Sequence, residues 1–388
     1  MSVTAPQGFV AGAVACGVKG IGIPDLALVA TEDGEAVPAA AVFTTNLAAA
    51  GPVEVSRSHL RRNHGRAAAV ILNSGNANAC TPRGRDDAER MCDLAADNLG
   101  CQSDDVLVCS TGLIGIPLPI GLIEAGIPGL VRSRSRDSGK RAAVAIMTTD
   151  TVAKQSLVRG NGFTVGGMAK GAAMLSPDMA TMLAVLTTDA VTDSSALQVA
   201  LTAAVDRSFN QLTVDGATST NDTVIVLANG RSGRRTNAED LADALWEACA
   251  DLAAQMAADA EGGTKVVRVR VIGAATADQA AAGARRVAEN QLIKCSWYGE
   301  DPYWGRIVSE LGASSIAFDL DRVSVSYNGI TVCAKGVESR SYDPDALKAA
   351  MAQRTIEIIA DLGLGDGEAS VLTTDLSHRY IDENMRTS

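Results

Sequence analysis

This chain has little of what many catalytic sites and membrane segments depend on. It has three histidines, and aromatic residues make up only 3% of it, so any core must be built from Ala, Val, Leu and Ile. The eight cysteines form no Cys-x-x-Cys pair and have no histidine at ligand spacing, which argues against zinc and favours free, buried thiols. No apolar run reaches about 18 residues, and the first residues do not read as a signal peptide. We therefore expect a soluble, cytoplasmic protein.

Two further absences narrow the class of partner. The net charge of -11 gives no basic footprint, which argues against nucleic acid and anionic membrane surfaces but leaves room for a local cationic pocket. The sequence contains neither a Walker loop nor a Gly-x-Gly-x-x-Gly fingerprint after a strand, so no motif indicates that the protein binds a nucleotide.

The order of apolar patterns predicts a mixed fold. At 388 residues the chain is long enough for one large domain and a smaller one. A polar stretch around His59 reads as a solvated helix end, and 131–141 reads as a mobile surface connection. Two layers of helix around two layers of sheet would fit this order. The patterns predict strands over 26–30, 39–43, 67–72, 105–109, 142–147, 224–228 and 265–271, helices over 86–100, 195–208, 239–258, 278–290 and 344–353, and a hairpin turning at Asn328-Gly329.

Thr181 stands after a small residue and directly before the apolar run Met-Leu-Ala-Val-Leu. A threonine hydroxyl becomes a useful nucleophile when a neighbouring base takes its proton, and one such base is its own α-amino group, freed by cutting the preceding peptide bond. An α-amine titrates near about 7.7–8.0, so it serves as a base close to neutral pH. We therefore hypothesise autocatalytic cleavage between Ala180 and Thr181. The pattern alone favours the other interpretation, a structural threonine in a partly buried strand.

The segment Ser110-Thr-Gly-Leu-Ile-Gly115 follows a predicted strand. Acyl transfer needs hydrogen-bond donors aimed at the developing oxyanion. Here the Thr111 hydroxyl and the Gly112 backbone N–H could serve, because glycine permits close approach. A plain strand-to-helix turn is the alternative interpretation.

Several motifs together resemble one family. They are Asn73–Ala79, Ser110–Gly115, Ile146–Thr151, the run from Gly167 through Ala180-Thr181-Met-Leu183, Thr218–Thr223, Asp259–Gly262 and Gly299–Arg306. In these the chain resembles, over essentially its whole length, the ornithine acetyltransferases, also called bifunctional glutamate N-acetyltransferases, of arginine biosynthesis. The resemblance implies an α+β fold, an αββα sandwich over 1–270 of the self-cleaving acetyltransferase and aminopeptidase type, with a smaller C-terminal α/β domain over 271–388.

The resemblance also implies roles for individual residues. Thr181 would be the nucleophile after cleavage at Ala180-Thr181, and Thr111 and Gly112 would form the oxyanion hole. The implied substrate-binding residues are Thr148, Lys170, Thr181, Glu261, Asn384 and Ser388.

The chain departs from the family pattern in two places. Ala173 stands before Met174 where relatives usually have glycine, a change expected to be harmless. The C-terminus is about one residue shorter than usual, which leaves the terminal contact open between Thr387 and Ser388.

The implied reaction is ping-pong acetyl transfer from N2-acetylornithine to glutamate, without a cofactor, by segments 1–180 and 181–388 that pair into a heterotetramer of two alpha and two beta chains. Many relatives also accept acetyl from acetyl-CoA, and nothing in this sequence decides that point. Two other interpretations stay open: an amidohydrolase or aminopeptidase of the same self-processing fold, and an uncleaved, inactive binding protein.

Overall fold

The computed structural model describes residues 3–176 and 182–385. They form two compact units. The first comprises the described residues up to Asn210 together with Ala217–Met256; the second comprises Gln211–Gly216 and the described residues from Ala257 onward. The boundary predicted from the sequence was residue 270.

The first unit alternates strands and helices along the chain. Its elements are β1 (Phe9–Val14), β2 (Leu26–Thr31), β3 (Val37–Phe43), α1 (Gly51–Arg62), β4 (Arg66–Ala67), β5 (Ala69–Asn76), α2 (Gly84–Leu99), a 3-10 turn (Ser103–Asp105), β6 (Val106–Leu113), α3 (Ile120–Arg132), α4 (Gly139–Ala145), β7 (Lys154–Arg159), β8 (Thr164–Lys170), β9 (Leu183–Thr188), α5 (Ser194–Asp206), a second 3-10 turn (Phe209–Gln211), β10 (Thr223–Ala228) and α6 (Ala238–Ala258).

Within the described residues, the strands of this unit form a four-stranded sheet in the order β1-β2-β5-β6 and a six-stranded sheet in the order β4-β3-β10-β9-β8-β7. Because side chains alternate along a strand, each strand of the first sheet serves two apolar layers. Ala27 and Val29 of β2 pack with Val185 and Ile225 of the second sheet. Leu28, between them, packs instead with residues of α1, α2 and α3. The two sheets therefore face each other, with helices behind the first.

Helices also cover the outer face of the second sheet. Gln198 of α5 exchanges hydrogen bonds with the backbone of Ala41 in β3. Leu252 of α6 lies so close over Gly167 of β8 that a Cβ there would be 3.1 Å from its Cδ1. The predicted αββα sandwich is confirmed.

The second unit has one sheet and its own core. Its elements are β11 (Val266–Ala274), α7 (Ala277–Glu289), α8 (Gln291–Tyr298), α9 (Trp304–Gly312), β12 (Ser324–Tyr327), β13 (Ile330–Ala334), β14 (Val337–Glu338), α10 (Pro344–Met351), β15 (Thr355–Asp361), β16 (Gly367–Thr374) and α11 (His378–Asn384). The described strands are ordered β14-β13-β12-β15-β11-β16. β11 pairs with β15 and β16, so its residues belong to this unit. The core includes the fully buried Trp297 and Tyr327.

Several local predictions are wrong. Residues 142–147 were expected to form a strand, but α4 takes up most of them, because an Ala-rich run fits a buried helix as well as a strand. His59 is fully buried on α1, where its ring bonds the Val106 carbonyl and the Glu89 carboxylate. The thiols of Cys80 and Cys295 are exposed rather than buried.

The structure also describes the predicted hairpin turn and the predicted surface connection over 131–141. Asn328 and Gly329 both have positive φ and join β12 to β13, as the tight hairpin requires. In the predicted surface connection, Ser135 exchanges two backbone hydrogen bonds with Ala11 of β1. Among the helices described, none combines the length and apolar content needed to cross a membrane.

Candidate active site

The parallel strands β5 and β6 end at a close glycine contact. Gly75 lies opposite Gly112 where the register between these strands shifts. Gly112 has φ +135, and a Cβ on it would lie 2.3 Å from the Gly75 carbonyl carbon. Only glycine fits this backbone conformation and this approach. The local sequence thus brings the end of β6, with Thr111 and Gly112, against β5.

Lys170, the last residue of β8, reaches the predicted oxyanion donor. Its Nζ donates a hydrogen bond to Thr111 Oγ1 at 3.3 Å, and both residues are buried. An ammonium group has no lone pair to offer, so the Thr111 oxygen accepts and its own hydrogen stays available to another acceptor. The contact therefore joins a positive charge and a hydroxyl donor at the end of both sheets.

Asp150 joins two of the predicted substrate-binding residues. Its carboxylate accepts the backbone N–H of Thr148 at 3.1 Å and that of Gly171 at 2.7 Å. It also pairs with Lys154 at 2.7 Å and lies 4.0 Å from the Nζ of Lys170. Burial alone would raise the Asp150 pKa, but the two lysines and the hydrogen bonds outweigh it and lower that pKa to about 2. We call Asp150, Lys154 and Lys170 the lysine–aspartate cluster.

The end of α4 leads directly to Thr148. The carbonyl groups of Ala145 and Met147 accept hydrogen bonds from the Lys19 ammonium, and Ala145 also accepts one from Ser74. A cation is favourable at a helix C-terminus, where carbonyl groups lack helical partners. Burial lowers the pKa of Lys19, partly offset by Asp25 and Asp150. Lys19 thereby adds a third amine close to Asp150.

A polar segment before β10 contacts the same region. Asn221 donates its side-chain N–H groups to the carbonyls of Ala77 and Ser110. Asp222 accepts the backbone N–H of Met182 at 2.9 Å. In the sequence this segment carries part of the family resemblance, but no role was predicted for it.

Of the predicted site residues in the second unit, Glu261 and Asn384 lie together. The Asn384 side-chain amide donates to Glu261 at 2.8 Å, and Gly262, with positive φ, lies against the backbone of Tyr380 at the start of α11. Glu261 is half-buried and Asn384 is exposed. Ala180, Thr181 and Ser388 lie outside the described residues, so their roles stay predictions.

Burial holds two thiols of the first unit, those of Cys109 and Cys16, in the protonated form. Burial raises the pKa of Cys109, one residue before Ser110, to about 12, which keeps that thiol protonated. Cys16 has its pKa raised to about 12 by burial and by Asp25. In the described ranges, His, Cys, Asp and Glu side chains form no group of three or more suited to a metal ion.

Fold and cluster together define a class: an αββα-sandwich protein with a buried, lysine-rich polar site at the ends of its facing sheets. The sequence profile of the ArgJ family matches residues 10–387. The chain belongs to the ArgJ family, and the predicted family is confirmed.

Individual relatives extend over the whole chain. The arginine biosynthesis bifunctional protein ArgJ of Streptomyces coelicolor is 46% identical over 389 residues, covering 100% of both chains. The protein of that name from Mycobacterium leprae is 48% identical over 395 residues, covering 100% of this chain and 95% of its own. The solved ornithine acetyltransferase of Mycobacterium tuberculosis, in complex with ornithine, is 41% identical, with a TM-score of 0.41 over 45% of this chain and 94% of that one.

Sequence reasoning missed the residues that hold the site together. Asp150 lies two residues after Thr148, inside one of the family motifs, and Lys154 opens β7 as a buried lysine on a strand whose inward side chains are otherwise uncharged. A charged residue at an inward strand position was the available signal for Lys154. Asn221 and Asp222 also lie inside a family motif, Thr218–Thr223, whereas Lys19 offered no comparable signal.

Proposed function

We propose that this chain is an acetyltransferase of arginine biosynthesis that moves the acetyl group from N2-acetylornithine to glutamate through an ester on Thr181. Family membership supports the reaction class. The structural observation that supports it best is the hydrogen bond from Lys170 to Thr111. It leaves the Thr111 hydrogen available and puts positive charge beside the position where an oxyanion would form.

In the proposed reaction, cleavage before Thr181 frees its α-amine, which accepts the proton of the Thr181 hydroxyl. The oxygen then bonds to the acetyl carbon, and Thr111 and Gly112 stabilise the oxyanion. When the amide bond breaks, the departing ornithine amine takes that proton. The amine of glutamate next attacks the ester, and Thr181 recovers its hydroxyl hydrogen.

The remaining parts of the proposal concern ligands and assembly. Thr148, Lys170, Glu261, Asn384 and the C-terminal Ser388 would bind substrate, and the lysines would attract its carboxylate. We propose that the reaction needs no cofactor and that segments 1–180 and 181–388 assemble as a cytoplasmic heterotetramer. Assaying acetyl-CoA in place of acetylornithine would show whether it is a second acetyl donor.

Product analysis of purified protein tests the reaction. Incubated with acetylornithine, it should release ornithine in proportion to added glutamate and form N-acetylglutamate. Acetate release without dependence on glutamate would instead favour an amidohydrolase of the same fold. Thr181→Ala should abolish both transfer and cleavage, and a single species near 39.9 kDa in mature wild-type protein would contradict the processing step.

A pair of glycine substitutions tests the oxyanion site. Gly112→Ala puts a Cβ 2.3 Å from the Gly75 carbonyl carbon, whereas Gly115 also has a positive φ, +81, but a Cβ there would meet nothing within 4 Å. We expect Gly112→Ala to lower kcat by roughly 100-fold or more, because it displaces a donor. Gly115→Ala should carry only the backbone strain, about 1 kcal/mol. Equal kcat values for the two variants would place the oxyanion elsewhere.

A further inference from the structure

Asn221 and Asp222 are consecutive residues with buried polar side chains that the proposed reaction does not use. Asn221 is 4% exposed and Asp222 is fully buried. They precede β10, which lies next to β9 in the second sheet. A buried amide and a buried carboxyl are costly unless they are hydrogen-bonded, so their partners indicate what they do.

The Asn221 side chain holds the end of β6. Its Nδ2 donates to the Ser110 carbonyl at 2.9 Å and to the Ala77 carbonyl at 2.6 Å. Its Oδ1 accepts the Thr220 hydroxyl at 2.6 Å, which fixes the orientation of the amide. The Ser110 carbonyl belongs to the peptide group that leads into Thr111, so Asn221 fixes the backbone immediately before the predicted oxyanion donors.

The Asp222 side chain holds the start of β9. Its Oδ1 accepts the Met182 N–H at 2.9 Å, and the N–H of Thr223 donates to the Met182 carbonyl at 3.2 Å. Met182 is therefore held at both its amide and its carbonyl. In the sequence it is the residue that follows the proposed nucleophile.

The Asp222 carboxyl lies in surroundings that favour its neutral form. Burial raises its pKa well above the ordinary range and outweighs the opposing effects of the Met182 N–H, the Lys170 charge and Ser219. Its Oδ2 has no hydrogen bond of acceptable geometry from any described residue. The contact to Met182 requires only one side-chain oxygen that accepts one backbone N–H, and the amide oxygen of an asparagine could accept it equally well.

We propose that Asn221 and Asp222 are positioning residues that together set the separation between the oxyanion donors and the nucleophile. A single peptide link separates the side chain that holds Ser110 from the one that holds Met182. Met182, the neighbour in sequence of the proposed nucleophile, and the backbone that leads into the oxyanion donors are thus held by one short segment, although β9 and β6 belong to different sheets. We call this segment the Asn221–Asp222 brace. The inference rests on the proposed roles of Thr181, Thr111 and Gly112.

Four variants of the full-length protein test the brace. Asn221→Ala and Asp222→Ala each remove one arm, and Asp222→Asn keeps an oxygen that can accept the Met182 N–H. Asn46→Ala is the matched control, because Asn46 also donates an amide N–H to a backbone carbonyl, that of Thr218. For each variant we would measure the cleavage rate by intact mass, kcat and KM for acetyl transfer per cleaved molecule, and the unfolding midpoint.

Both alanine variants should cleave slowly and lose roughly 100-fold in kcat with KM within about threefold of wild type, because a displacement near 1 Å costs about that much. Asp222→Asn and Asn46→Ala should stay within about threefold of wild type in kcat. Wild-type kcat in Asn221→Ala, or a loss confined to KM, would overturn the brace.

The Asp222→Asn variant keeps the test decisive if Asp222→Ala does not fold. A folded Asp222→Asn protein as impaired as expected for Asp222→Ala would mean that the carboxyl acts through its proton, and would also overturn positioning as its role. A wild-type protein that shows no acetyl transfer would reject the proposed function, and the brace with it. An active wild type with unaffected Asn221→Ala would reject the brace alone.

Discussion

Replacing Asp150 should disturb several buried contacts of the first unit at once. It is 7% exposed and is the counter-ion of the buried Lys154, while its oxygens also accept the N–H groups of Thr148 and Gly171. Removing one partner of a buried ion pair leaves the other charge uncompensated. Removing Asp150 should therefore cost more stability than removing one partner of a surface pair.

We predict that Asp150→Asn lowers the free energy of unfolding by about 3–5 kcal/mol. The matched control is Asp33→Asn, which breaks the exposed Asp33–Arg231 pair and should cost less than about 1 kcal/mol. Urea unfolding of both variants measures the difference. Similar midpoints for the two would contradict the importance of the lysine–aspartate cluster.

The same residue has a defined pH dependence. Because the Asp150 pKa in the folded protein is lowered to about 2, its ionised form stabilises the fold. The contribution should be complete above the unfolded pKa of about 3.9 and be lost as the pH falls towards 2. The stability difference between wild type and Asp150→Asn should accordingly be constant from about pH 5 to pH 8, which unfolding curves across that range can check.

At the residue scale, sequence could indicate donors but not the contacts between them. Thr111 and Gly112 could be proposed as donors because a glycine at a strand end permits close approach and the family resemblance implies the same role. The partners of Asn221 were not, since it bonds Ser110 across 111 positions of sequence. Such pairs arise from how two sheets stack, and neither periodicity nor spacing within one strand encodes that arrangement.

At the scale of elements, α1 and α2 meet through two glycines. A Cβ on Gly51 would lie 2.3 Å from the carbonyl carbon of Gly84, the first residue of α2. Backbone cannot withdraw as a flexible side chain can, so the beginning of α1 needs glycine at this contact. This close approach also brings α1 over β6, where the fully buried His59 bonds the Val106 carbonyl.

We predict that Gly51→Ala destabilises the protein by about 1–3 kcal/mol through overpacking. Gly129→Ala in α3 is the matched control: a Cβ at Gly129 would meet nothing within 4 Å, so alanine should raise stability by roughly 0.5–1 kcal/mol through helix propensity. Thermal melting of the two variants should give shifts of opposite sign. A stabilising shift in both would show that α1 and α2 can separate at little cost.

Element types were predictable where the apolar period was clear. α5, α6, α7 and α10 each lie within a few residues of their predicted ranges. α4 was not predicted, because its alanines satisfy both periods, and Lys19 and Ser74, which bind the carbonyl of its last residue, Ala145, are distant in sequence. The surroundings of a short Ala-rich segment decide its conformation, and those surroundings are not local in sequence.

At the scale of the whole chain, the second sheet is interleaved with respect to the proposed cleavage site. β9 and β10, which follow the site, lie between β3 and β8, which precede it. β9 is hydrogen-bonded to β8 from Leu183 to Thr188 and to β10 on its other side. Both segments therefore contribute central strands to one hydrogen-bonded layer.

We predict that the two segments of cleaved protein stay together under native conditions and separate only in denaturant. Size-exclusion chromatography in buffer should give one peak containing both segments, and the same column in guanidinium chloride should give two. Elution of separate segments from the native column would contradict a shared sheet.

The position of β9 and β10 between β3 and β8 also bears on the order in which the chain folds and is cleaved. Neither segment alone carries all the described strands of that sheet, so we expect folding to precede the proposed cut. The reaction that frees Thr181 would then occur only in chains that have already built both layers. In any preparation, the fraction of cleaved chains would then report the fraction of chains that have folded.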